Sequence, residues 1–454
     1  MSEFKKPQSE EEYHNNFSQI KPLMNKTEAA YESSRCLFCY DAPCVNACPT
    51  EIDIPLFIRQ INTGNMTGAA KTIYSSNYFG NSCGKVCPTE VLCEGACVYN
   101  LQEVKPIDIG RLQNFATQQA ITNNTPLFTK LAKKDNKIAK KIAVIGAGPA
   151  GISCACELSS LGYEVKIYEA KALPSGLTVH GVAPYKITNT EVLAEIDYLQ
   201  KQFGFEIEYN SPIRNTEQLK SLEIEFEAIF LGIGLGNTSS IGLKGETLEN
   251  CVGATEFIEQ LRLEQHKAKI IGKKVLVLGG GNTAMDAASE SARMGAETVI
   301  LAYRKGKDAM SAYEFEYDLA KNVGVKGLFN VSPIEIIGNE KVQAVRMIKT
   351  EEVGGKLQEI KGSEFEIACD LVIRATGQSK QVEFLGTIAK LQIDNKGRIL
   401  TSFSHEKGVN YTYQTSNPKY FAGGDAVNGG AEVVNAVQHG RDAAKNIHQY
   451  LENK

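Results

Sequence analysis

Lys141-Ile-Ala-Val-Ile-Gly146-Ala147-Gly148-Pro149-Ala150-Gly151 reads as a short strand running into Gly-x-Gly-x-x-Gly and then a helix. Gly146 allows the tight turn, Gly148 lets backbone approach a pyrophosphate, and Gly151 lets helix and strand pack closely. The helix N-terminus offers free N–H groups and a positive dipole end to phosphates. The next strand, Glu164–Tyr168, ends at Glu169, about 20 residues on, where an acid binds ribose hydroxyls. The stretch opens a dinucleotide-binding βαβ unit.

A second opening follows at Val275-Leu-Val-Leu-Gly279-Gly280-Gly281-Asn282-Thr283-Ala284. Its next strand, Thr298–Ala302, runs into Tyr303-Arg304-Lys305-Gly306-Lys307 rather than an acid. A basic residue there suits the 2′-phosphate of NADP, and an acid favours NAD. A solvated basic loop has the same composition, so the cofactor preference stays open at this point. Near the C-terminus, Tyr420-Phe-Ala-Gly423-Gly424-Asp425 precedes a helix from about Glu432 to Tyr450. A strand ending in Gly-Asp at a helix start suits the ribityl and phosphate region of a flavin. Two further Gly-rich strand ends, Phe230-Leu-Gly232-Ile-Gly234 and Ile373-Arg-Ala375-Thr376-Gly377, fall where the chain is expected to cross between domains. From Lys140 onward, Val/Ile-rich strands alternate with amphipathic helices, the pattern of parallel α/β sheets. An FAD domain interrupted by a nicotinamide domain accounts for all of these signals.

Eight of the twelve cysteines fall between Cys36 and Cys97. The first group is Cys36-Leu-Phe-Cys39-Tyr-Asp-Ala-Pro-Cys44-Val-Asn-Ala-Cys48-Pro49, and the second is Cys83-Gly-Lys-Val-Cys87-Pro88-Thr-Glu-Val-Leu-Cys93-Glu-Gly-Ala-Cys97. A cubane cluster needs four soft thiolates converging through short loops, and proline directly after a ligating cysteine is a ferredoxin habit. Two zinc sites are the alternative, since Cys-x-x-Cys is also zinc chemistry. The crowding of ligands within each group favours iron–sulfur. Cys154, Cys156, Cys251 and Cys369 stand in apolar contexts, as small buried hydrophobes do.

The 454 residues suffice for two or three domains. A net charge of −4 gives no reason to expect nucleic acid or an anionic membrane as partner. The polar opening Met1-Ser2-Glu3-Phe4-Lys5-Lys6 is no signal peptide, and no apolar run approaches the roughly 20 residues of a membrane span. The expected compartment is the cytoplasm. Residues 1–135, with helix-like stretches at Pro55–Gly64 and Ile109–Thr122, form an α-helical iron–sulfur domain, closed by a polar linker over Asn123–Asn136. The first part of the FAD domain is expected over 136–255, the NAD(P)H domain over 256–372 and the second part of the FAD domain over 373–454. The expected fold class is therefore α/β with a helical N-terminal domain and two Rossmann-like domains, the NAD(P) domain inserted in the FAD domain.

From Tyr31 to about Gln449 the chain resembles the flavoprotein half of dihydropyrimidine dehydrogenase and, more distantly, the small subunit of glutamate synthase. The resemblance is carried by Cys36–Pro49, Cys83–Cys97, Ile109-Gly-Arg-Leu-Gln113-Asn-Phe115, Ala302-Tyr-Arg304-Lys-Gly306 and Phe421–Asp425. It implies two [4Fe–4S] clusters, one on Cys36, Cys39, Cys44 and Cys97, the other on Cys48, Cys87, Cys93 and Gln113. Counting the eight cysteines as two sets of four would use Cys83 instead, so the two readings differ at Cys83 and Gln113; the matching Gly-Arg-Leu-Gln-Asn-Phe context favours Gln113. The resemblance further implies FAD contacts at Gly146–Ala150, Glu169–Leu177 (including Gly176), Lys186, Leu235 and Gly424–Val433 (including Asp425 and Glu432). Nicotinamide contacts are implied at Gly280–Thr283, Arg304, Lys305 and Ala375–Gly377. This sequence departs from the family pattern at Ser175, where a glycine is usual, at Lys186, where an arginine is expected, and at Ser311, where a second arginine is expected. Arg304 speaks for NADPH and Ser311 for NADH.

No acid–base dyad or nucleophile elbow stands in suitable surroundings, and none is required, because hydride transfer from nicotinamide to flavin needs orientation and electrostatics. The resemblance implies an electron-input subunit whose FMN-binding dihydropyrimidine dehydrogenase partner reduces uracil or thymine. That barrel of about 250 residues is expected on the partner, since this sequence leaves no room for it. A glutamate synthase small subunit and a ferredoxin-dependent NADP transhydrogenase subunit are the alternative expectations.

Overall fold

The structure is a computed structural model and describes residues 4–128, 140–269, 271–403 and 411–454. The chain divides into two compact units, one of Lys21–Val179, Lys186–Leu235 and Lys380–Lys454, the other of Met1–Ile20, His180–Tyr185 and Gly236–Ser379.

The first unit is built on a five-stranded parallel sheet. Its strands run Tyr420–Ala422, Ala228–Leu231, Lys141–Ile145, Glu164–Tyr168 and Glu206–Glu208 from edge to edge. The central strand is buried on both faces at Ile142, Ala143 and Val144, which is why it reads as an unbroken apolar run. Ile145 lies opposite both Tyr168 and Leu231, so the strand ends come level at the edge where α/β sheets bind ligands. The helices Pro149–Ser160 and Val433–Asn453 pack against each other on this sheet. Their approach is so close that a Cβ on Gly440 would stand 2.0 Å from the Ala150 carbonyl oxygen.

The same unit holds the cysteine-bearing helices. Ile54–Asn62 starts with Pro55 in its first turn and with the Asp53 side chain accepting the Leu56 N–H, an N-cap followed by proline. It buries Ile54, Phe57, Ile58 and Ile61, the i, i+3, i+4, i+7 stripe of an amphipathic helix. Against that stripe lie Ile73 of Met66–Ser76 and Leu112 and Ala116 of Ile109–Thr122. The expected linker begins as a docked segment: Leu127 is buried, its N–H donates to Gln202 at 3.0 Å, and the Thr125 carbonyl accepts from Tyr198 at 2.7 Å. Its part beyond residue 128 lies outside the described residues.

In the second unit a parallel sheet runs Cys251–Gly253, Leu371–Arg374, Lys274–Leu278, Thr298–Tyr303 and Lys326–Phe329. An antiparallel sheet centred on Val342–Val353 follows it, with Val331–Gly338, Lys356–Glu359 and Phe365–Ala368 as its neighbours. The longest segment of this unit runs from Gly236 to Ser379, wider than the expected 256–372, and near its two ends Thr238 and Gln378 pair as an antiparallel bridge. Residues up to Ile20 belong to this unit and not to the cysteine segment, which divides the expected 1–135 domain. The cause is packing: Tyr13 and Phe17 are buried with Phe257 and Leu261, and the Tyr13 hydroxyl donates to the Leu261 carbonyl at 3.0 Å. Among the described residues no helix is long and apolar enough to cross a membrane.

Candidate functional site

The first glycine loop is held open by backbone geometry that side chains would obstruct. Gly146 has φ of 99° and a Cβ there would stand 2.5 Å from the Gly232 carbonyl oxygen; one on Gly151 would stand 1.9 Å from the Gly146 oxygen. At the mouth of the loop, the sites for Cβ atoms on Gly176 and Gly424 lie 3.2 Å from Gly148 Cα and 3.1 Å from Ala150 Cβ. Gly148, Pro149, Ala150, Gly176 and Gly424 therefore surround one helix N-terminus with almost no side-chain bulk. Ser175 sits there with φ of 76°, fully buried, its hydroxyl without a partner among the described residues. Glu169 is fixed by accepting the Ala147 N–H and the Lys171 N–H, each at 2.7 Å. Asp425 accepts the Ala431 N–H at 3.2 Å, and burial raises its carboxyl above the ordinary range. Glu432 caps the last helix, Val433 begins it, and Leu235 approaches Gly430. Lys186 is buried and Leu177 is exposed on the loop's far side in sequence. A cradle of glycines, an orphan hydroxyl and a ribose acid fit FAD.

The second loop is built alike but is roofed differently. Gly279 has φ of 153°, and a Cβ there would meet the Ala375 carbonyl oxygen at 2.4 Å; one on Gly280 would meet the Tyr303 ring at 2.6 Å. Gly281 caps Asn282–Arg293, and the Asn282 side chain accepts the Tyr313 N–H at 3.0 Å. Thr283 is exposed at the start of that helix. Arg304 is exposed, and its carbonyl accepts from the Thr350 hydroxyl at 2.7 Å. Lys305 stands 3.7 Å from Glu352. Ser311 lies above Gly281, with its hydroxyl 3.4 Å from the Gly280 carbonyl. Ala375, Thr376 and Gly377 follow Arg374, which pairs with Glu246 at 2.5 Å and donates to the Ser239 carbonyl at 3.0 Å. Glu246 also accepts the N–H groups of Ile241, Gly242 and Leu243. That half-hidden pair ties the 239–246 loop to the end of the Leu371–Arg374 strand and gave no signal in the sequence.

The cysteines separate into two cavities. One is lined by Cys36, Cys39, Cys44 and Cys97, with Ile54, Ile58 and Ile109 among its apolar walls. The other is lined by Cys48, Cys83, Cys87 and Cys93, with Gln113, Asn77 and Val434. Gln113 lines this cavity, and its Nε2 donates to the Gly80 carbonyl at 2.7 Å. Burial raises the Cys44 thiol to about 12, with Cys36 and Cys97 adding repulsion. A hydrogen bond with the Cys83 thiol and desolvation raise Cys87 well above the usual value, and desolvation and the nearby Glu94 carboxylate do the same for Cys93. Thiolates gathered in so apolar a space call for cationic irons between them. Among the described residues no three His, Cys, Asp or Glu side chains converge on a point that would hold a single ion; a cubane instead spreads its four ligands over four irons.

Sequence reading missed the group that holds the second cavity's helix. Glu195 is fully buried in Asn189–Phe203. Its carboxylate accepts Asn81 N–H at 2.7 Å, Ser82 N–H at 3.0 Å, the Ser82 hydroxyl at 2.5 Å and the Tyr74 hydroxyl at 3.1 Å. Asn81 and Ser82 are in the first turn of Gly80–Val86, and that helix carries Cys83 and ends at Cys87. Burial pushes the Glu195 carboxyl up to about 7 against the pull of these donors. The available signal was spacing: Val192, Glu195, Ile196 and Leu199 share the buried face.

The profile of the pyridine nucleotide-disulphide oxidoreductase family matches residues 140–440. The chain belongs to that family. The dihydropyrimidine dehydrogenase domain II, 4Fe-4S cluster profile matches residues 13–125 of this oxidoreductase. The NAD-dependent dihydropyrimidine dehydrogenase subunit PreT of Escherichia coli K12 is 34% identical over 439 residues, covering 96% of this chain and 98% of the relative. The glutamate synthase [NADPH] small chain of the same organism is 33% identical over 454 residues, covering 96% and 94%. FprA of Mycobacterium tuberculosis in complex with NADPH shares the fold at a TM-score of 0.57 and 19% identity, over 70% of this chain and 85% of that one. Thioredoxin reductase of Lactococcus lactis does so at 0.52 and 20%, over 69% and 100%. The protein is thus an NAD(P)H-dependent oxidoreductase with FAD and 4Fe–4S chemistry, of the α/β class with a helical iron–sulfur segment ahead of the nucleotide-binding sheets.

Proposed function

We propose that this oxidoreductase is the electron-input subunit of a pyrimidine-reducing enzyme. FAD held at the first glycine loop would supply two-electron acceptance from the nicotinamide and one-electron donation to two 4Fe–4S clusters held by the cysteine segment, and an FMN-containing partner subunit would use those electrons to reduce uracil or thymine. The observation that carries the reading is the separation of the thiols into two cavities, the second shared by Gln113. Cys36, Cys39, Cys44 and Cys97 hold one cluster; Cys48, Cys87, Cys93 and Gln113 hold the other, with Cys83 as a neighbour and not a ligand. Gly146–Ala150, Gly176, Leu177, Lys186, Leu235, Gly424, Asp425, Glu432 and Val433 seat the flavin, and Glu169 takes its ribose. Gly280–Thr283 and Ala375–Gly377 orient the nicotinamide, with Arg304 and Lys305 at the adenosine end.

Likeness to the glutamate synthase small chain favours a second reading, in which the partner transfers an amide nitrogen. One experiment separates them. The chain is mixed with the FMN-barrel protein encoded in the same genome, and NAD(P)H oxidation is followed with uracil, and separately with glutamine plus 2-oxoglutarate and an amidotransferase partner. Turnover only with uracil supports the first reading, and turnover only with glutamine replaces it with the second.

A further inference from the structure

Asn77 is 1% exposed, lies one residue past the helix Met66–Ser76, and lines the second thiol cavity. Its backbone N–H is spent on the Ile73 carbonyl at 2.9 Å. Its side-chain oxygen accepts the Phe79 N–H at 2.9 Å, which fixes the amide orientation. The other end, Nδ2, is a buried donor with no partner among the described residues. Burying an unanswered donor of this kind is costly, so it calls for an acceptor in the cavity. The neighbours of Asn77 are fastened to the flavin-side helices. Arg441 of Val433–Asn453 donates to the Ser76 carbonyl at 2.8 Å, and the Tyr78 hydroxyl donates to Glu157 of Pro149–Ser160 at 2.7 Å. Val434, next to the proposed flavin contact Val433, lines the same cavity.

From these contacts we infer that Asn77 is a positioning residue whose Nδ2–H donates a hydrogen bond to a sulfur of the cluster in the second cavity and raises that cluster's reduction potential. The inference rests on the proposed ligation by Cys48, Cys87 and Cys93. A donor to a cluster sulfur stabilises the more negative, reduced state, so the cluster in this cavity becomes easier to reduce than it would be without Asn77. Asn77 touches neither nicotinamide nor the reacting flavin atoms; it acts through the cluster.

The test is an anaerobic redox titration followed by EPR on the full chain, with iron and flavin counted in each sample. Asn77→Ala removes the donor without adding charge, and Asn77→Asp keeps the acceptor for the Phe79 N–H while losing the donor. Both are expected to keep the parent's iron and flavin and to shift one of two cluster signals to more negative potential. An exchangeable-deuteron coupling on that signal is expected in the parent and absent in Asn77→Ala. Unchanged potentials in fully loaded variants would overturn the inference alone. Loss of iron in both variants would make Asn77 a structural residue and overturn it too. Iron content unaffected by Cys87→Ala would remove the cluster from this cavity, and both the inference and the ligand assignment would fall.

Discussion

The two glycine loops share an opening and part company one strand later. Each has a positive-φ glycine where a Cβ would strike a carbonyl just past the neighbouring parallel strand, Gly232 for Gly146 and Ala375 for Gly279. In the first, the following strand ends in Glu169, locked onto the Ala147 N–H. In the second it ends in Tyr303, whose ring covers Gly280, and in the exposed Arg304. The glycines leave the backbone of both loops clear of side chains, and under the proposed function the residue after the second strand sorts one nucleotide from the other. An acid held by backbone suits a resident flavin, while an exposed cation suits a nucleotide that comes and goes.

That contrast is open to attack at each position. Glu169→Ala removes the ribose acceptor and frees the Ala147 N–H, so flavin affinity should fall by about 100-fold, from roughly 3 kcal/mol of charged hydrogen bonding. Flavin absorbance retained after dialysis measures it, and full retention would deny Glu169 its role. Gly280→Ala drives a methyl into the Tyr303 ring and should raise the Michaelis constant for either nicotinamide about tenfold, a shift of about 1.4 kcal/mol, with flavin content unchanged. Arg304→Ala should raise the constant for NADPH by about tenfold, on the scale of one charge-assisted contact, and leave NADH nearly as before. Equal small effects on both would show that Arg304 does not read a phosphate. Ser311→Arg supplies the second cation and should improve NADPH a few-fold, about 0.5–1 kcal/mol for an exposed pair, in the same steady-state assay.

Local constraints made much of this visible before any coordinates. The strands at Lys141 and Lys274 end where their glycines begin, and Ile109–Thr122 is a helix over the range its pattern marks. The cysteine spacings mark two groups, but the crossing of Cys97 into the first cavity and of Cys48 into the second is implied by the family resemblance and not by spacing. What was hidden depends on contacts far apart in the chain. Glu195 reaches Ser82 across 113 residues, and no local pattern names the partner of a buried acid. Asn77 carries no signal in the sequence, and only the structure shows that its amide nitrogen is buried without a partner among the described residues. Tyr13 and Phe17 are spaced as one helix face, but that face is matched by Leu261, some 248 residues on; the first twenty residues were therefore grouped with their neighbours in sequence.

The central claim is that this segment of eight cysteines holds iron–sulfur clusters fed by the flavin. Its most direct test is anaerobic purification of the full chain, with iron, acid-labile sulfide and flavin measured per mole, followed by reduction with NADH and NADPH. About eight irons and eight sulfides, as two cubanes require, with one FAD and cluster reduction on adding nicotinamide, is the predicted result. Zinc in place of iron, or iron that stays oxidised while the flavin is reduced, would contradict it.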